Sequence, residues 1–279
     1  MDRRLLIESR LDMVGRYTEP SHMSIGIALS SPSNTLLREL RSAFALSFVL
    51  VLAAMPLPVL GGTIGAVPAL IAVALFAGSL FAITRGLVAH HPHSRLGVAN
   101  RITLARAAIA CVIAARAIEP APLAATERWL LAAAAGAALM LDGADGWAAR
   151  RQGLSSVFGA RFDLEVDAFA ILVLSFTVAK AHAVSCWVLA IGLMRYLYLA
   201  GGLAFPMLRR PMPPRPIADR RRKTIAVVQS VGLILALAPT TSPGWAEAAC
   251  ATAFGLLCFS FAADVVMLWR TADLIAEVE

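Results

Sequence analysis

Long apolar runs separated by short polar breaks dominate the chain. Residues 42–84 contain no Asp, Glu, Lys or Arg. That stretch is too long for one membrane helix of about 20 residues and long enough for two. Pro56, Pro58, Gly61 and Gly62 supply the turn between them. Similar runs continue to the C-terminus. Together they predict eight helical spans, at 43–60, 65–84, 99–118, 125–149, 161–180, 183–206, 224–240 and 246–268. Residues 1–40 break the pattern with Arg3, Arg4, Arg10, Arg16 and Arg38, and read as a polar arm that is partly an interfacial helix. The expected fold is all-α, a polytopic membrane helix bundle.

Composition supports lipid as the solvent. Of the 279 residues 59% are apolar and 15% charged, where a soluble domain carries about 25% charged residues. The net charge of +7 is gathered in a few segments. With the N-terminus inside, the inner loop 85–98 holds Arg85 and Arg95, 150–160 holds Arg150 and Arg151, and 207–223 holds Arg209, Arg210, Arg215, Arg220, Arg221, Arg222 and Lys223. The loops at 61–64, 119–124, 181–182 and 241–245 hold no Lys or Arg, though Lys180 borders one. The positive-inside rule then puts both termini in the cytoplasm, with a bacterial inner membrane as the expected setting. Nucleic acid is not an expected partner, because no basic stretch is interleaved with aromatic residues as a stacking surface requires. Cys111, Cys186, Cys250 and Cys258 sit singly in apolar segments and read as packed thiols. The His90, His91, Pro92, His93 run reads as a solvated loop, since Pro92 breaks helical spacing and no carboxylate or Cys lies near. The N-terminus does not read as a cleavable signal, because the first apolar run begins only near Ala43.

One stretch runs against this economy of charge. Residues 141–169 place Asp142, Asp145, Asp163 and Asp167 between apolar segments. On a helix, Asp142, Asp145, Gly146, Ala149 and Arg150 share one face, and Gly159, Asp163 and Asp167 form a stripe on the next helix. Carboxylates converging from two helices need a cation to offset their repulsion. An oxygen-only set favours Mg²⁺, Mn²⁺ or Ca²⁺ over zinc. Gly146, Ala149 and Gly159 leave room for a ligand beside the metals, and Arg150 suits a phosphate oxygen. The combination suggests metal-assisted phosphoryl chemistry. A carboxylate left partly free would act as general base.

The residues Asp142-x2-Asp145-Gly146-x2-Ala149-Arg150-x8-Gly159-x3-Asp163-x3-Asp167 match without exception the signature that this chain's motif resembles, that of the CDP-alcohol phosphotransferase family. The resemblance implies a six-helix catalytic core at 97–270, preceded by the arm at 1–40 and two additional transmembrane helices within 41–90, and followed by a tail at 271–279. It implies two divalent ions, Mg²⁺ or Mn²⁺, on Asp142, Asp145, Asp163 and Asp167, with Asp167 also the base. Gly146, Ala149, Arg150 and Gly159 would line a CDP pocket. The run from Asn100 to Arg106 resembles the family's N-x-x-T-x-x-R pattern, which adds Asn100 and Thr103 to that pocket, although Asn100 also suits an ordinary helix cap.

Arg195, near mid-span, and the basic run Arg220, Arg221, Arg222, Lys223 resemble the layout of phosphatidylglycerophosphate synthases, with only Lys223-Thr224 matching that group's G-K-x-K-T segment. Arg195, Arg221 and Lys223 are therefore the expected acceptor-phosphate contacts. The expected reaction is transfer of a phosphatidyl group from CDP-diacylglycerol to a small hydroxyl acceptor, glycerol 3-phosphate first, with release of CMP. The reverse assignment, a CDP-linked headgroup and diacylglycerol, is the alternative. A multi-span transporter with a cation site is the distant one. A homodimer is a family expectation only, and the first two spans suggest packing or oligomer contact.

Overall fold

The computed structural model describes residues 34–54, 64–90, 95–152, 156–209 and 216–276. All of them fall in one compact unit, Pro32–Glu279. They form eight α-helices: α1 (Asn34–Ala54), α2 (Ala66–His90), α3 (Val98–Ile118), α4 (Ala125–Gln152), α5 (Val157–Lys180), α6 (Leu189–Ala204), α7 (Pro216–Leu237) and α8 (Pro243–Ala276), with 3₁₀ turns at Cys186–Val188 and Pro206–Arg209. No strand occurs among the described residues. Outside them lie residues 1–33 of the arm, the turn bearing Pro56, Pro58, Gly61 and Gly62, and His91, Pro92 and His93.

The apolar runs locate the helices but not all their ends. α1 starts at Asn34 and α7 at Pro216, well before the runs at 43 and 224. The α1 extension is rich in Leu and Arg, and the α7 extension in Arg with Lys223, residues that propagate a helix in water as well as in lipid. One consequence corrects the sequence reading. Arg220, Arg221, Arg222 and Lys223 belong to the first turns of α7, not to a loop at 207–223.

Val98–Ile118, Cys186–Ala204 and Pro243–Trp269 are long and apolar enough to cross a membrane. Large apolar side chains also face outward on α1 (Leu46, Val49), α2 (Val67, Leu70), α6 (Leu197, Leu203) and α7 (Val231, Leu235). Exposed large apolar side chains on so many helices belong in lipid rather than water. Trp245 and Trp269 stand exposed near the two ends of α8, about 36 Å apart along a helix rising 1.5 Å per residue. That suits tryptophans at two membrane interfaces.

α3 is the hub. It packs against α1, α2, α4 and α5, and its apolar window is 61% buried, against 22% and 28% for the other two spanning candidates. Its alanines explain this, because Ala107, Ala108, Ala110, Ala114, Ala115 and Ala117 are all buried and let neighbouring helices approach closely. One side of α3 joins a core with Leu131, Val173, Val188, Leu233 and Leu257. The other meets Leu36, Leu40, Val51, Ala72 and Phe76 of α1 and α2, together with Phe158 of α5. Of the four cysteines, Cys111 and Cys250 are buried and Cys258 partly so, whereas Cys186 is exposed, which departs from the packed-thiol expectation.

α6 packs closely on α5 at Gly192. A methyl group at Gly192 would lie 2.4 Å from Ser175 Oγ and 2.5 Å from the Leu172 Cα. The second contact is with backbone, which cannot rotate away. Gly192→Ala is therefore expected to force α5 and α6 apart at a cost of about 1–3 kcal/mol, seen as a lower midpoint of thermal unfolding in detergent. An unchanged midpoint would show that the two helices separate freely.

Candidate active site

Asp142 lies in the C-terminal half of α4, and Asp163 and Asp167 in the first three turns of α5. One carboxylate oxygen from each falls within 4.8 Å of the others. The predicted convergence from two helices is therefore present for these three residues. Asp145, Gly146, Ala149 and Arg150 lie on the α4 backbone, but their side chains are outside the described residues.

A residue that the carboxylate stripe did not predict stands at the centre. Arg106 of α3, 5% exposed, extends its guanidinium into the cluster. Its Nη1 pairs with Asp142 Oδ1 at 2.8 Å and donates to Asp163 Oδ1 at 2.7 Å, and its Nη2 donates to Asp167 Oδ1. The signal for it was available: Arg106 is the last residue of the run that begins at Asn100, and an arginine inside an apolar helix is a functional candidate by default. Three carboxylates against the Arg106 guanidinium and the nearby Lys223 leave the cluster with a surplus of negative charge. This all-oxygen, electron-rich set fits a hard divalent cation, and Arg106 already shows that positive charge is favoured there.

The helix starts set the geometry. α5 is capped by Ser156, whose hydroxyl accepts from Gly159 N–H at 3.0 Å. α3 has no side-chain cap of its own. It begins after Gly97, whose φ of 82° requires glycine. Asn100 is therefore not the helix cap that its residue type suggested. It is buried in the first turn, and its Nδ2 donates back to the Leu96 carbonyl at 2.6 Å. A methyl group on Gly159 would meet Asn100 Oδ1 at 3.0 Å, so the glycine lets α5 close against α3 at this point. Asn100 and Gly159, both expected in the nucleotide pocket, are thus brought together. Thr103 is buried, and its hydroxyl donates to the Ala99 carbonyl at 3.1 Å.

A cleft of about 330 Å³ opens at the carboxylates. Asp142, Asp163, Asp167, Arg106 and Lys223 form its polar end. Its other end runs between α3, α4, α5 and α7 along Ile113, Ala135, Ile171, Leu174 and Val227. It is charged at the chemistry and oily beyond it.

The three residues expected to bind the acceptor separate. Lys223 lines the cleft. Arg221 donates to Asp264 Oδ1 at 2.7 Å, and Arg222 to Asp264 Oδ2 at 3.0 Å, so this buried α8 aspartate holds two cations of the basic run. Arg195 pairs with Glu165, which lies between the two aspartates of α5 in sequence but is itself exposed. Neither Asp264 nor Glu165 was anticipated from sequence.

Residues 96–269 match the family described as CDP-alcohol phosphatidyltransferase. The chain belongs to that family. As a CDP-alcohol phosphatidyltransferase it is a member of a transferase family of membrane phospholipid synthesis, and the matched segment starts two residues before α3 and ends within α8. α1 and α2 lie outside it. Comparison with curated proteins and with solved structures gave no significant match. Divalent metals are general in CDP-alcohol phosphatidyltransferases, and Asp142, Asp163 and Asp167 are the described residues that can hold one.

Proposed function

We propose that the protein transfers a phosphatidyl group from CDP-diacylglycerol to a small, phosphorylated hydroxyl acceptor, glycerol 3-phosphate first, releasing CMP. The observation that carries this reading is the cleft, with three carboxylates at one end and an apolar channel continuing from them. A lipid-linked donor needs both, and a cation beside the carboxylates suits an anionic acceptor. Lys223 supplies that cation, in line with the likeness to phosphatidylglycerophosphate synthases. On this reading the helices from α3 onward form the catalytic unit at 97–270, with α1 and α2 added before it. The arginine-rich ends would face the cytoplasm.

Asp142, Asp163 and Asp167, with Asp145, would hold two divalent ions, Mg²⁺ or Mn²⁺. Bound there, the ions supply positive charge to the pyrophosphate and Lewis acidity at phosphorus. The residues of the chain do the rest. Gly146, Ala149, Arg150, Gly159, Asn100 and Thr103 form the nucleotide pocket by the signature. Lys223 orients the acceptor phosphate, and Arg221 and Arg195 would contribute only by leaving Asp264 and Glu165. Asp167 accepts the proton of the acceptor hydroxyl as its oxygen bonds to the β-phosphorus. The bond from that phosphorus to the bridging oxygen breaks, and CMP departs with the electron pair.

The test is CMP release by purified protein in lipid nanodiscs with CDP-diacylglycerol and a panel of acceptors. Turnover confined to CDP-choline or CDP-ethanolamine with diacylglycerol would overturn the donor assignment. Lys223→Gln is expected to raise KM for glycerol 3-phosphate about tenfold or more, the worth of a charge-assisted hydrogen bond, and to leave KM for an uncharged polyol within about twofold of wild type. Equal effects on both acceptors would remove Lys223 from the phosphate site.

A further inference from the structure

α1 lies outside the family-matched segment, yet it reaches the start of α3. Glu39, half-buried on α1, accepts from Leu96 N–H at 3.0 Å through Oε2. The same oxygen pairs with Arg101 at 3.3 Å. We infer that Glu39 is a positioning residue for the active site, anchoring from a neighbouring helix the residue that precedes Gly97 at the start of the central helix and so fixing the face that carries Asn100 and Arg106. This inference rests on the functional reading above.

The chain of contacts is continuous. The start of an α-helix carries partial positive charge, and a carboxylate held beside it is favoured. No side chain caps α3 at Gly97, and the contact from α1 is made one residue earlier. Glu39 fixes Leu96 by its N–H, and the carbonyl of the same residue receives Asn100 Nδ2. Asn100 Oδ1 lies so close to Gly159 that an added methyl group would meet it at 3.0 Å. Gly159 is in turn tied to the Ser156 cap of α5, the helix of Asp163 and Asp167. The surrounding packing follows the same route, because Leu36 and Leu40, flanking Glu39 on α1, join Phe158 of α5 in one buried cluster with Leu96 and Leu104. Arg106 lies further along α3, so a shift of the first turn moves its guanidinium against three carboxylates. Catalytic geometry is sensitive at this scale, and a displacement of about 1 Å costs on the order of 10²-fold.

Two measurements on the full-length protein test this. In hydrogen–deuterium exchange, Glu39→Ala should speed exchange about tenfold, the loss of a charged hydrogen bond, at residues 96–103 and also at 157–163. Changes confined to α1 would overturn the inference. In CMP release, Glu39→Ala should lower kcat about tenfold with KM within about twofold, and Glu39→Gln, which keeps an oxygen acceptor for Leu96 N–H, should recover most of it. The effects of Glu39→Ala and Asn100→Ala should be less than multiplicative, as expected for residues in one network. Multiplicative effects, or a kcat unchanged per folded molecule, would also overturn it. Should wild type release no CMP with any donor, the functional reading fails, and the exchange pattern alone decides the role of Glu39.

Discussion

Asp167→Asn protein is expected to fold normally and to release CMP on the order of 10²–10⁴-fold more slowly than wild type, the range for a lost general base. Asp163→Asn and Asp142→Asn should be at least as damaging, because their side chains share the cation-binding position. The sign of the accompanying stability change separates function from structure. Without metal, the three carboxylates outnumber the cations beside them, Arg106 and Lys223. Asparagine at 163 keeps an oxygen acceptor for Arg106 while removing one repelling charge, so the metal-free variant should melt no lower than wild type. Adding Mn²⁺ at about 100 times its Kd should stabilise wild type by about 2.7 kcal/mol and the variant by far less. Thermal unfolding in EDTA and in Mn²⁺ reads both effects without any substrate. A variant that melts well below wild type in EDTA, with an equal gain from Mn²⁺, would make Asp163 a structural residue. The general reason is that an active site holds groups whose mutual repulsion is tolerated for the sake of the ligand.

The carboxylate stripe shows how far periodicity carries. Asp142, Asp163 and Asp167 converge because helical spacing puts them on facing sides of two consecutive helices, and that much follows from sequence positions alone. Asp264 and Glu165 were hidden for a different reason. Their importance comes from α8 meeting α7 and α6 meeting α5 in space, contacts that no local spacing encodes. The same holds for Glu39, which acts on a residue 57 positions away. Asn100 failed in a third way. Its residue type favours a cap, but the positive φ of Gly97 moves the helix start back, and tertiary packing against Gly159 gives the amide another task.

Arg116→Ala is expected to cost about 3–5 kcal/mol, the penalty for leaving a buried charge without its partner. Arg116 at the end of α3 and Glu127 at the start of α4 are 2% and 1% exposed, and they meet in a two-point contact, Nε to Oε1 at 2.9 Å and Nη2 to Oε2 at 2.8 Å. Around them the ends of other helices are tied down by polar contacts. Glu127 also accepts from Ala124 N–H at 2.7 Å, and Arg128 donates to the Leu237 carbonyl at the end of α7 at 3.0 Å. Lys180 donates to the Glu119 carbonyl, and Glu119 accepts from Gly65 N–H at the start of α2 at 2.8 Å. The short connections at this end leave little slack, so the ion pair registers α3 against α4 at the end opposite the carboxylates. Arg116→Met with Glu127→Leu should recover most of the loss, since a matched apolar pair removes both charges from a site where water cannot solvate them. The single variant should show a lowered unfolding midpoint with CMP release per folded molecule within about twofold of wild type. A double variant no more stable than the single one would mean that the pair's orientation, and not its desolvation, holds the two helices in register.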